Sequence, residues 1–424
     1  MRQPMPPRFH TLIAAQFFSA LADNALLILA VGLLQRQGLP PWWAPLLKLC
    51  FNAAYVGLAP VVGLVADAWP KVKVLGAMNG LKALGVLALL AGLPALPAFA
   101  IVGMAAAAYA PAKYGLITEM VPPALLVRAN AWIEVSVVSA VLLGTTLGGL
   151  LQSPWWLGLA PLQALAPWGR SLGLGQEALL LGSWCLLLAL YGLAALLQLR
   201  VPDSGARYAP PPRALGAVLA DFRAANRSLW QDRQGGRLSL AVTTLFWGAG
   251  ASLQLAVLQW SQSHLGLRLD QGAYLQAVVA LGVILGALLA ARWVPMAQVR
   301  RVLPLGLLMG LALLGAAWIS HWLAALPAMV LVGALGGALL VPMNALLQHR
   351  GHQLLSAGRS IAVQGFNENL SILLMLAAYA GVQAQGLSLP LMMSGLGLAL
   401  ALAMLVLMGR ARLPSAATPP GPAP

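Results

Sequence analysis

The stretch AQFFSALADNALLILAVGLL, from Ala15 to Leu34, is an apolar run that is interrupted near its middle by Asp23 and Asn24. A helix needs about 20 residues to cross about 30 Å of hydrocarbon, so this run predicts a membrane-spanning helix. Similar runs recur along the chain, which is 60% hydrophobic and 8% charged and has a mean hydropathy of +0.82. Because transmembrane β-strands alternate apolar and polar residues instead, the sequence predicts an all-α membrane protein.

The apolar runs predict twelve transmembrane helices in two groups of six. The longest polar stretch separates the groups, and its part RALGAVLADFRAANRSLWQ has the spacing of an amphipathic helix on the membrane surface. The predicted spans are 10–34, 43–66, 73–93, 97–120, 129–151, 176–199, 238–262, 271–294, 301–320, 324–346, 359–384 and 387–409. The predicted domains are an N-terminal six-helix bundle at 1–199, a cytoplasmic linker at 200–237, a C-terminal six-helix bundle at 238–412 and a disordered tail at 413–424.

Lysine and arginine predict the orientation of these helices in the membrane. Seven arginines lie between Arg200 and Arg237, and the other loops on the side of the termini are also basic. The basic residues of the loops on the opposite side are Arg36, Lys48, Arg170 and Arg268. The positive-inside rule therefore places both termini in the cytoplasm, and it accounts for the net charge of +15 without any nucleic acid.

The segment GLVADAWPKVKV, from Gly63 to Val74, lies between the second and third predicted spans. Its pattern of glycine, aspartate and two lysines resembles the cytoplasmic loop signature of the major facilitator superfamily. With twelve helices and a central cytoplasmic loop, the resemblance covers essentially the whole chain and implies the fold of that superfamily. It also implies that Asp67, near the start of the third helix and beside Lys71, pairs with a basic group of the opposite half and holds the cytoplasmic side closed. The dipole of the third helix would stabilise such a carboxylate locally.

Four further stretches carry a closer resemblance. They are AQFFSALADNALL in the first span, AAYAPAKYG at 107–115, LFWGAGA at 245–251, and VPMNALLQHRG with AVQGFNENLS between 341 and 371. Together they resemble the bacterial lysophospholipid transporter family. This resemblance implies a flippase that moves lysophospholipids such as lysophosphatidylethanolamine from the outer to the inner leaflet of the bacterial inner membrane. It also implies functional coupling to an acyltransferase that re-acylates the lysophospholipid.

Charged residues inside the spans indicate where a headgroup binds, because a charge at the bilayer centre is costly and usually faces a cavity or a partner. Asp23 in the first helix and Glu368 in the eleventh are predicted to converge from opposite halves, with Arg237 at the cytoplasmic mouth of the seventh helix. A guanidinium matches a phosphate, and carboxylates accept hydrogen bonds from an ammonium or hydroxyls. The family resemblance implies an acidic residue in the first helix, a basic residue near the start of the seventh and an acidic residue in the eleventh. Arg233 also fits the position of the basic residue. Structural ion pairs among such charges, which include Lys82 in the third span, are the alternative.

Other polar residues of the spans have two interpretations each. Asn24 and Asn367 are predicted to hydrogen-bond the headgroup, and contacts between helices are the alternative. Lys113 is predicted either to belong to the charges that open and close the two halves or to pair with Glu119 or Glu134 inside the first half.

Two other functions stay open. One is a proton-coupled exporter of amphiphilic drugs or metabolites, in which Asp23 and Glu368 would titrate during the cycle. The other is a membrane acyltransferase, but the sequence has no Gly-Lys-Ser or Gly-Lys-Thr loop, no Gly-x-Ser-x-Gly and no His-x-x-x-x-Asp, so an enzyme is not predicted. Cys50 and Cys185 are isolated, so neither a metal nor a cofactor is predicted. The protein is expected to be a monomer surrounded by membrane lipids.

Overall fold

The computed structural model describes residues 4–40, 42–171, 175–208 and 214–412, and its regular structure over these ranges is helical. Twelve of the helices are long and apolar enough to cross a membrane, so the predicted number of spans is confirmed. The predicted tail at 413–424 lies outside the described residues.

We label the twelve spanning helices α1 to α12 in chain order. They run over Phe9–Arg36, Trp43–Ala68, Lys71–Leu90, Ala95–Met120, Leu126–Leu150, Leu181–Leu199, Gly236–Ser263, Leu269–Trp293, Leu303–Ala316, Trp322–Leu354, Ala357–Gln383 and Leu389–Arg412. Because twelve spans alternate in direction, α1 begins and α12 ends at the same end of the molecule. We call this end the terminal face.

The helix α10 extends past position 346, the predicted end of its span, to Leu354. The end of an apolar run indicates where the chain leaves the hydrocarbon of the bilayer. A helix can continue beyond that point where neighbouring helices cover its polar turns. Gln348 and Gly351, in the last turns of α10, are buried in this way. The additional turns bring polar side chains of α10 to the terminal face.

The twelve helices form two six-helix bundles. In the first half, α1 packs on α5 and α6, α2 on α4, and α3 on α4 and α6. In the second half, α7 packs on α11, α8 on α10, and α9 on α10 and α12. The halves meet where α2 packs on α11 and α5 on α8, and α10 and α11 also contact α4. Residues on α2, α4 and α5 of the first half and on α8, α10 and α11 of the second therefore lie beside the boundary between the halves.

The position of α10 depends on a close contact with α8. A Cβ atom added to Gly286 of α8 would lie 2.0 Å from the backbone oxygen of Ala334, and one added to Gly333 of α10 would lie 2.1 Å from that of Val279. Small residues allow transmembrane helices to approach in this way, and larger side chains would force the backbones apart.

One further long helix, Leu215–Gln231, lies in the linker, and we call it the surface helix. It packs against α2, α7, α10 and α11 at the terminal face. Its buried residues are Val218, Ala225 and Leu229. Phe222 lies edge-on to Phe366 of α11 with 5.3 Å between the ring centroids, and Asp221 forms an ion pair with Arg359 of α11. The surface helix thus covers the terminal ends of α2 and α11, where the two halves meet.

Candidate functional site

Asp23 lies in the middle of α1 and is bound by two side chains of its own half. Its Oδ2 atom is 2.6 Å from Nζ of Lys82 on α3, and its Oδ1 atom accepts a hydrogen bond of 2.8 Å from the hydroxyl of Tyr191 on α6. The Lys82 side chain is 2% exposed and that of Asp23 is 17% exposed. A charge inside the bilayer needs such a partner. Asp23 is therefore part of an ion pair in this conformation. A structural ion pair was the alternative to headgroup binding in the sequence analysis.

Lys82 is held by more than its carboxylate partner. Its ammonium donates to Oγ of Ser19 at 3.0 Å, and the Ser19 hydroxyl donates in turn to Oδ1 of Asn79 at 2.7 Å. The Tyr109 ring centroid lies 4.8 Å from the same ammonium. A buried ion pair is stable only when its remaining donors and acceptors are satisfied as well, and these contacts meet that condition.

Lys113 on α4 and Glu134 on α5 are buried beside this pair. Lys113 interacts electrostatically with Glu134, Asp23 and Lys82, and its ammonium lies 4.1 Å from the Tyr114 ring centroid. Within the described ranges, however, neither Lys113 nor Glu134 forms an ion pair shorter than 4.0 Å. Lys113 therefore has a carboxylate nearby but no direct carboxylate contact.

Glu368 is half-buried on α11, in the second half. Its Oε1 atom accepts a hydrogen bond of 2.7 Å from Gln364, whose amide also donates to Oδ1 of Asn344 on α10 at 2.9 Å. In the part of the chain that the structure describes, no lysine or arginine nitrogen lies within 4.0 Å of Glu368. Glu134 interacts with it electrostatically from the opposite half. The charges of two carboxylates from opposite halves therefore act on the same region, which is an environment that attracts a cation.

Arg237 lies in the first turn of α7, near the terminal face, and is half-buried. Glu368 lies eleven positions beyond Ala357, the start of α11, whereas Arg237 lies one position beyond the start of α7. At 1.5 Å per residue, about 15 Å of height separates their Cα atoms. Arg237 therefore lies at the terminal end of α7, too far along the helix axis to share one contact with Glu368 in this conformation. Asp23 contacts α3 and α6 of its own half, and its convergence with Glu368 stays a prediction.

The two asparagines of the predicted site make contacts within the protein. Asn24 donates a hydrogen bond of 2.8 Å to the backbone oxygen of Ala20 in its own helix. Asn367 donates to Oδ1 of Asn226 at 2.9 Å and accepts from Nε1 of Trp230 at 3.1 Å, and both partners lie on the surface helix. Asn367 therefore contacts the surface helix in this conformation, in agreement with the alternative of a contact between helices, and its contact with a headgroup stays a prediction.

Asp67 lies in the last turn of α2, four positions before Lys71, the first residue of α3. Its carboxylate accepts hydrogen bonds from the Ser356 hydroxyl and from the backbone N–H groups of Gly358 at 2.9 Å and Arg359 at 3.1 Å. These N–H groups belong to the first turn of α11, where the side chain of the N-cap residue Ser356 makes no cap of its own. Asp67 thus caps α11 from the other half, and its partner is a helix N-terminus instead of the predicted basic side chain.

Two glycines allow α2 and α11 to meet at this cap. A Cβ atom added to Gly358 would lie 2.6 Å from Oδ1 of Asp67 and 2.7 Å from the backbone oxygen of Gly63. One added to Gly63 would lie 2.8 Å from Cβ of Ala362. The glycine of the GLVADAWPKVKV motif therefore permits the close approach that lets Asp67 reach α11.

Lys71 lies beside the cap and is buried in a second ion pair. Its Nζ atom is 2.8 Å from Glu119 of α4 and 3.5 Å from Asp67. The Tyr208 hydroxyl donates to Glu119 at 2.9 Å, and the Tyr208 ring centroid is 5.0 Å from the Lys71 ammonium. Burial, followed by the charge of Glu119, raises the pKa of Tyr208, so its hydroxyl keeps its proton. Glu119 therefore pairs with Lys71 and not with Lys113.

An amide pair joins the halves at the same face. The side chains of Asn130 on α5 and Gln348 on α10 exchange two hydrogen bonds, each 2.8 Å long, and both side chains are buried. Together with the cap on α11, this pair closes the boundary between the halves at the terminal face.

Comparison with known proteins identifies the family. The Major Facilitator Superfamily matches residues 12–374. The "Lysophospholipid transporter LplT" of Yersinia pestis (strain Pestoides F) is 38% identical over 382 residues, which are 88% of this chain and 86% of the relative. This chain belongs to the lysophospholipid transporter family of the major facilitator superfamily. It is therefore a multi-pass membrane transporter and not an enzyme, as predicted from the sequence.

Solved structures confirm the predicted fold. The transporter FucP, solved in its outward conformation, has a TM-score of 0.71 at 18% identity, and the match covers 96% of this chain and 98% of that one. The human organic anion transporter MFSD10 has a TM-score of 0.70 at 18% identity, and the match covers 94% of this chain and 100% of that one. At these identities the similarity shows the fold alone.

Several residues that contact Asp23 or Glu368 were not identified from the sequence. Lys82 was noted as an intramembrane charge, but its pairing with Asp23 was not predicted. Tyr191 and Gln364 carried no signal, because an uncharged polar residue in a span is common and is equally consistent with packing. Their roles follow only from the arrangement of the helices.

Proposed function

We propose that this transporter is a lysophospholipid flippase, which moves lysophospholipids such as lysophosphatidylethanolamine from the outer to the inner leaflet of the bacterial inner membrane. The observation that carries the proposal is Glu368, a carboxylate inside a spanning helix that has an amide partner but no basic partner within 4.0 Å among the described residues. The 38% identity to a lysophospholipid transporter supports a lysophospholipid as the substrate. By analogy with the family, an acyltransferase consumes the lysophospholipid at the inner leaflet and maintains the inward flow.

The basic loops support an orientation with the terminal face in the cytoplasm. In that orientation the cap of Asp67 on α11 and the pair of Asn130 with Gln348 close the cytoplasmic side. The conformation described here then receives its lysophospholipid from the outer leaflet. Opening of these two contacts is the step that releases the lysophospholipid to the inner side, by alternating access of the two six-helix bundles.

The charges on either side of the boundary suit a zwitterionic headgroup. The ethanolamine ammonium binds at Glu368, where the nearby Glu134 adds attraction. Lys113, which has no direct carboxylate contact, supplies the positive charge for the phosphate. The pair of Asp23 and Lys82 stays closed during this first contact, because each of its members is already satisfied.

Arg237 belongs to a later stage of the same path. It lies about 15 Å closer to the terminal face than Glu368, by the helical rise, so both residues cannot hold one headgroup in this conformation. A guanidinium at that height matches a phosphate that has moved towards the cytoplasmic side. We therefore assign Arg237 to release and Glu368 to first binding.

The test is inward movement of a fluorescent lysophosphatidylethanolamine in spheroplasts, measured as the fraction that albumin no longer extracts. Glu368→Gln keeps the shape of the side chain but removes its charge. A hydrogen bond to a charged group contributes about 1.5–3 kcal/mol, so we expect the initial rate to fall by about ten- to hundredfold. The matched control is Asp203→Asn, which neutralises a carboxylate of the linker that pairs with Arg207.

Two outcomes would overturn the proposal. One is a normal rate in Glu368→Gln at the same level of protein in the membrane. The other is a rate that falls to background when a protonophore collapses the pH gradient, because this result favours the proton-coupled exporter.

A further inference from the structure

A groove of about 330 Å³ opens at the terminal face, between the start of α9 and the end of α12. Its lining residues are Arg300, Arg301, Leu303, Pro304, Met408 and Ala411. This volume lies at the lower end of the range of small-molecule sites, which is about 300–1,000 Å³. The groove contains none of the residues assigned above to transport or to closure of the terminal face.

The two arginines of the groove are held in place by neutral groups. Nη2 of Arg300 donates a hydrogen bond of 2.6 Å to the backbone oxygen of Gln234, and Nη1 of Arg301 donates one of 3.0 Å to Oε1 of Gln298. Within the described ranges, neither guanidinium lies within 4.0 Å of a carboxylate. Because a guanidinium has five N–H donors, both arginines keep donors for an anion.

In the first half, the counterpart of the loop between α8 and α9 is the connection between α2 and α3, and its buried lysine has a carboxylate partner. Lys71, the first residue of α3, is buried and neutralised by Glu119 at 2.8 Å. Arg300 and Arg301, between α8 and α9, are exposed and adjacent in sequence, so their positive charges add. Two neighbouring guanidinium groups that have no carboxylate partner attract a phosphate strongly. The guanidinium matches the phosphate in geometry as well as in charge.

The floor of the groove is apolar and leads towards the lipid. Leu303 and Met408 form part of the floor, and the same two helices expose Leu308 of α9 (49%) and Leu405 of α12 (48%) on their surfaces. Trp293, which ends the neighbouring helix α8, is 69% exposed, and exposed tryptophans concentrate at the membrane interface. A soluble phosphate would use the arginines alone, whereas a phospholipid would use both the arginines and the floor.

We propose that this groove binds an anionic membrane phospholipid, with the phosphate at Arg300 and Arg301 and the glycerol and first chain carbons on the apolar floor. This site is separate from the path of the transported lipid and does not depend on the identity of that lipid. It holds a resident lipid on the second half, next to the loop that leads into α7.

Native mass spectrometry of the full chain in detergent, titrated with phosphatidylglycerol or phosphatidylethanolamine, tests the proposal. The variant Arg300→Gln/Arg301→Gln is expected to weaken phosphatidylglycerol binding by about fivefold for each arginine, or about 25-fold in total. Binding of phosphatidylethanolamine is expected to weaken by less, because its ammonium offsets the charge of its phosphate. The matched control is Arg223→Gln/Arg227→Gln, which removes the same charge from the surface helix and is expected to leave both affinities unchanged.

A second pair of variants tests the floor without touching the arginines. Met408→Glu places a carboxylate in the groove and is expected to weaken phosphatidylglycerol binding, whereas Met408→Leu keeps the floor apolar and is expected to have no effect. The proposal is overturned if the control double variant weakens binding as much as Arg300→Gln/Arg301→Gln, or if Met408→Glu has no effect. It is also overturned if glycerol phosphate displaces the lipid at equal concentration, since the groove would then bind a soluble phosphate.

Discussion

Replacing Asp67 by alanine is expected to favour the open state of the terminal face. The change removes the hydrogen bonds from Ser356, Gly358 and Arg359 that cap α11. A hydrogen bond to a charged group contributes about 1.5–3 kcal/mol, and loss of an N-cap costs about 0.5–2 kcal/mol. Because the Ser356 hydroxyl can turn and cap α11 itself, we expect a net shift of about 2 kcal/mol. This corresponds to a change of about 30-fold in the ratio of open to closed molecules.

Double electron–electron resonance measures this ratio. Lys73 and Ala297 are exposed at the terminal face on opposite halves, so spin labels there report the distance between the halves. The labels require a background in which Cys50 and Cys185 are serine. If the open state holds about 1% of the parent protein, the shift raises it to about 23%, which appears as a second and longer distance.

The matched control is Asp203→Ala, because Asp203 forms its ion pair with Arg207 inside the linker and does not join the halves. Its distance distribution is expected to equal that of the parent. Asp67→Asn is expected to lie between Asp67→Ala and the parent, since asparagine is as good an N-cap as aspartate but lacks the charge. An unchanged distribution in Asp67→Ala, or the same change in Asp203→Ala, would refute the reasoning.

Two other predictions concern stability. Lys82→Met leaves the Asp23 carboxylate without its cation, which lowers the free energy of unfolding by about 3–5 kcal/mol, so the temperature of thermal unfolding should fall. Adding Asp23→Asn should recover much of this loss, and the absence of any recovery would contradict the pairing. Burial alone would raise the pKa of Asp232, but hydrogen bonds from Arg350 and from the Gly236 N–H hold it below its usual value. Its stabilisation of the first turn of α7 is therefore present above about pH 4 and lost as the pH falls through the lowered pKa. Amide protection of that turn, corrected for intrinsic exchange, should show this loss in the parent but not in Asp232→Ala.

The sequence predicted the membrane architecture well because the bilayer imposes a simple local rule. Each span needs about 20 apolar residues, and the twelve runs that meet this rule correspond to the twelve spanning helices. The end of α10 was misplaced, since its last turns are covered by neighbouring helices and need no apolar run. Hydropathy therefore located the hydrocarbon but not the full length of the helices.

Motifs identified residues more reliably than their partners. Asp67 was singled out by the GLVADAWPKVKV pattern, but its partner is a set of backbone N–H groups, which have no signature in a sequence. Asn367 lies in a motif of the family, and yet its amide binds the surface helix. A motif shows which position carries chemistry, whereas the partner depends on which helix packs against that position.

By itself, the sequence determined that this is a membrane protein of twelve helices and that Asp23, Lys82 and Glu368 lie inside them. Only the tertiary structure decided that Asp23 is paired, with Lys82 and Tyr191, while Glu368 has an amide partner and interacts electrostatically with Glu134. The physical reason is that apolar length is a local property that adds up along the chain. The partner of a charge inside a helix depends instead on how helices distant in sequence are rotated and packed, and that is a property of the whole molecule.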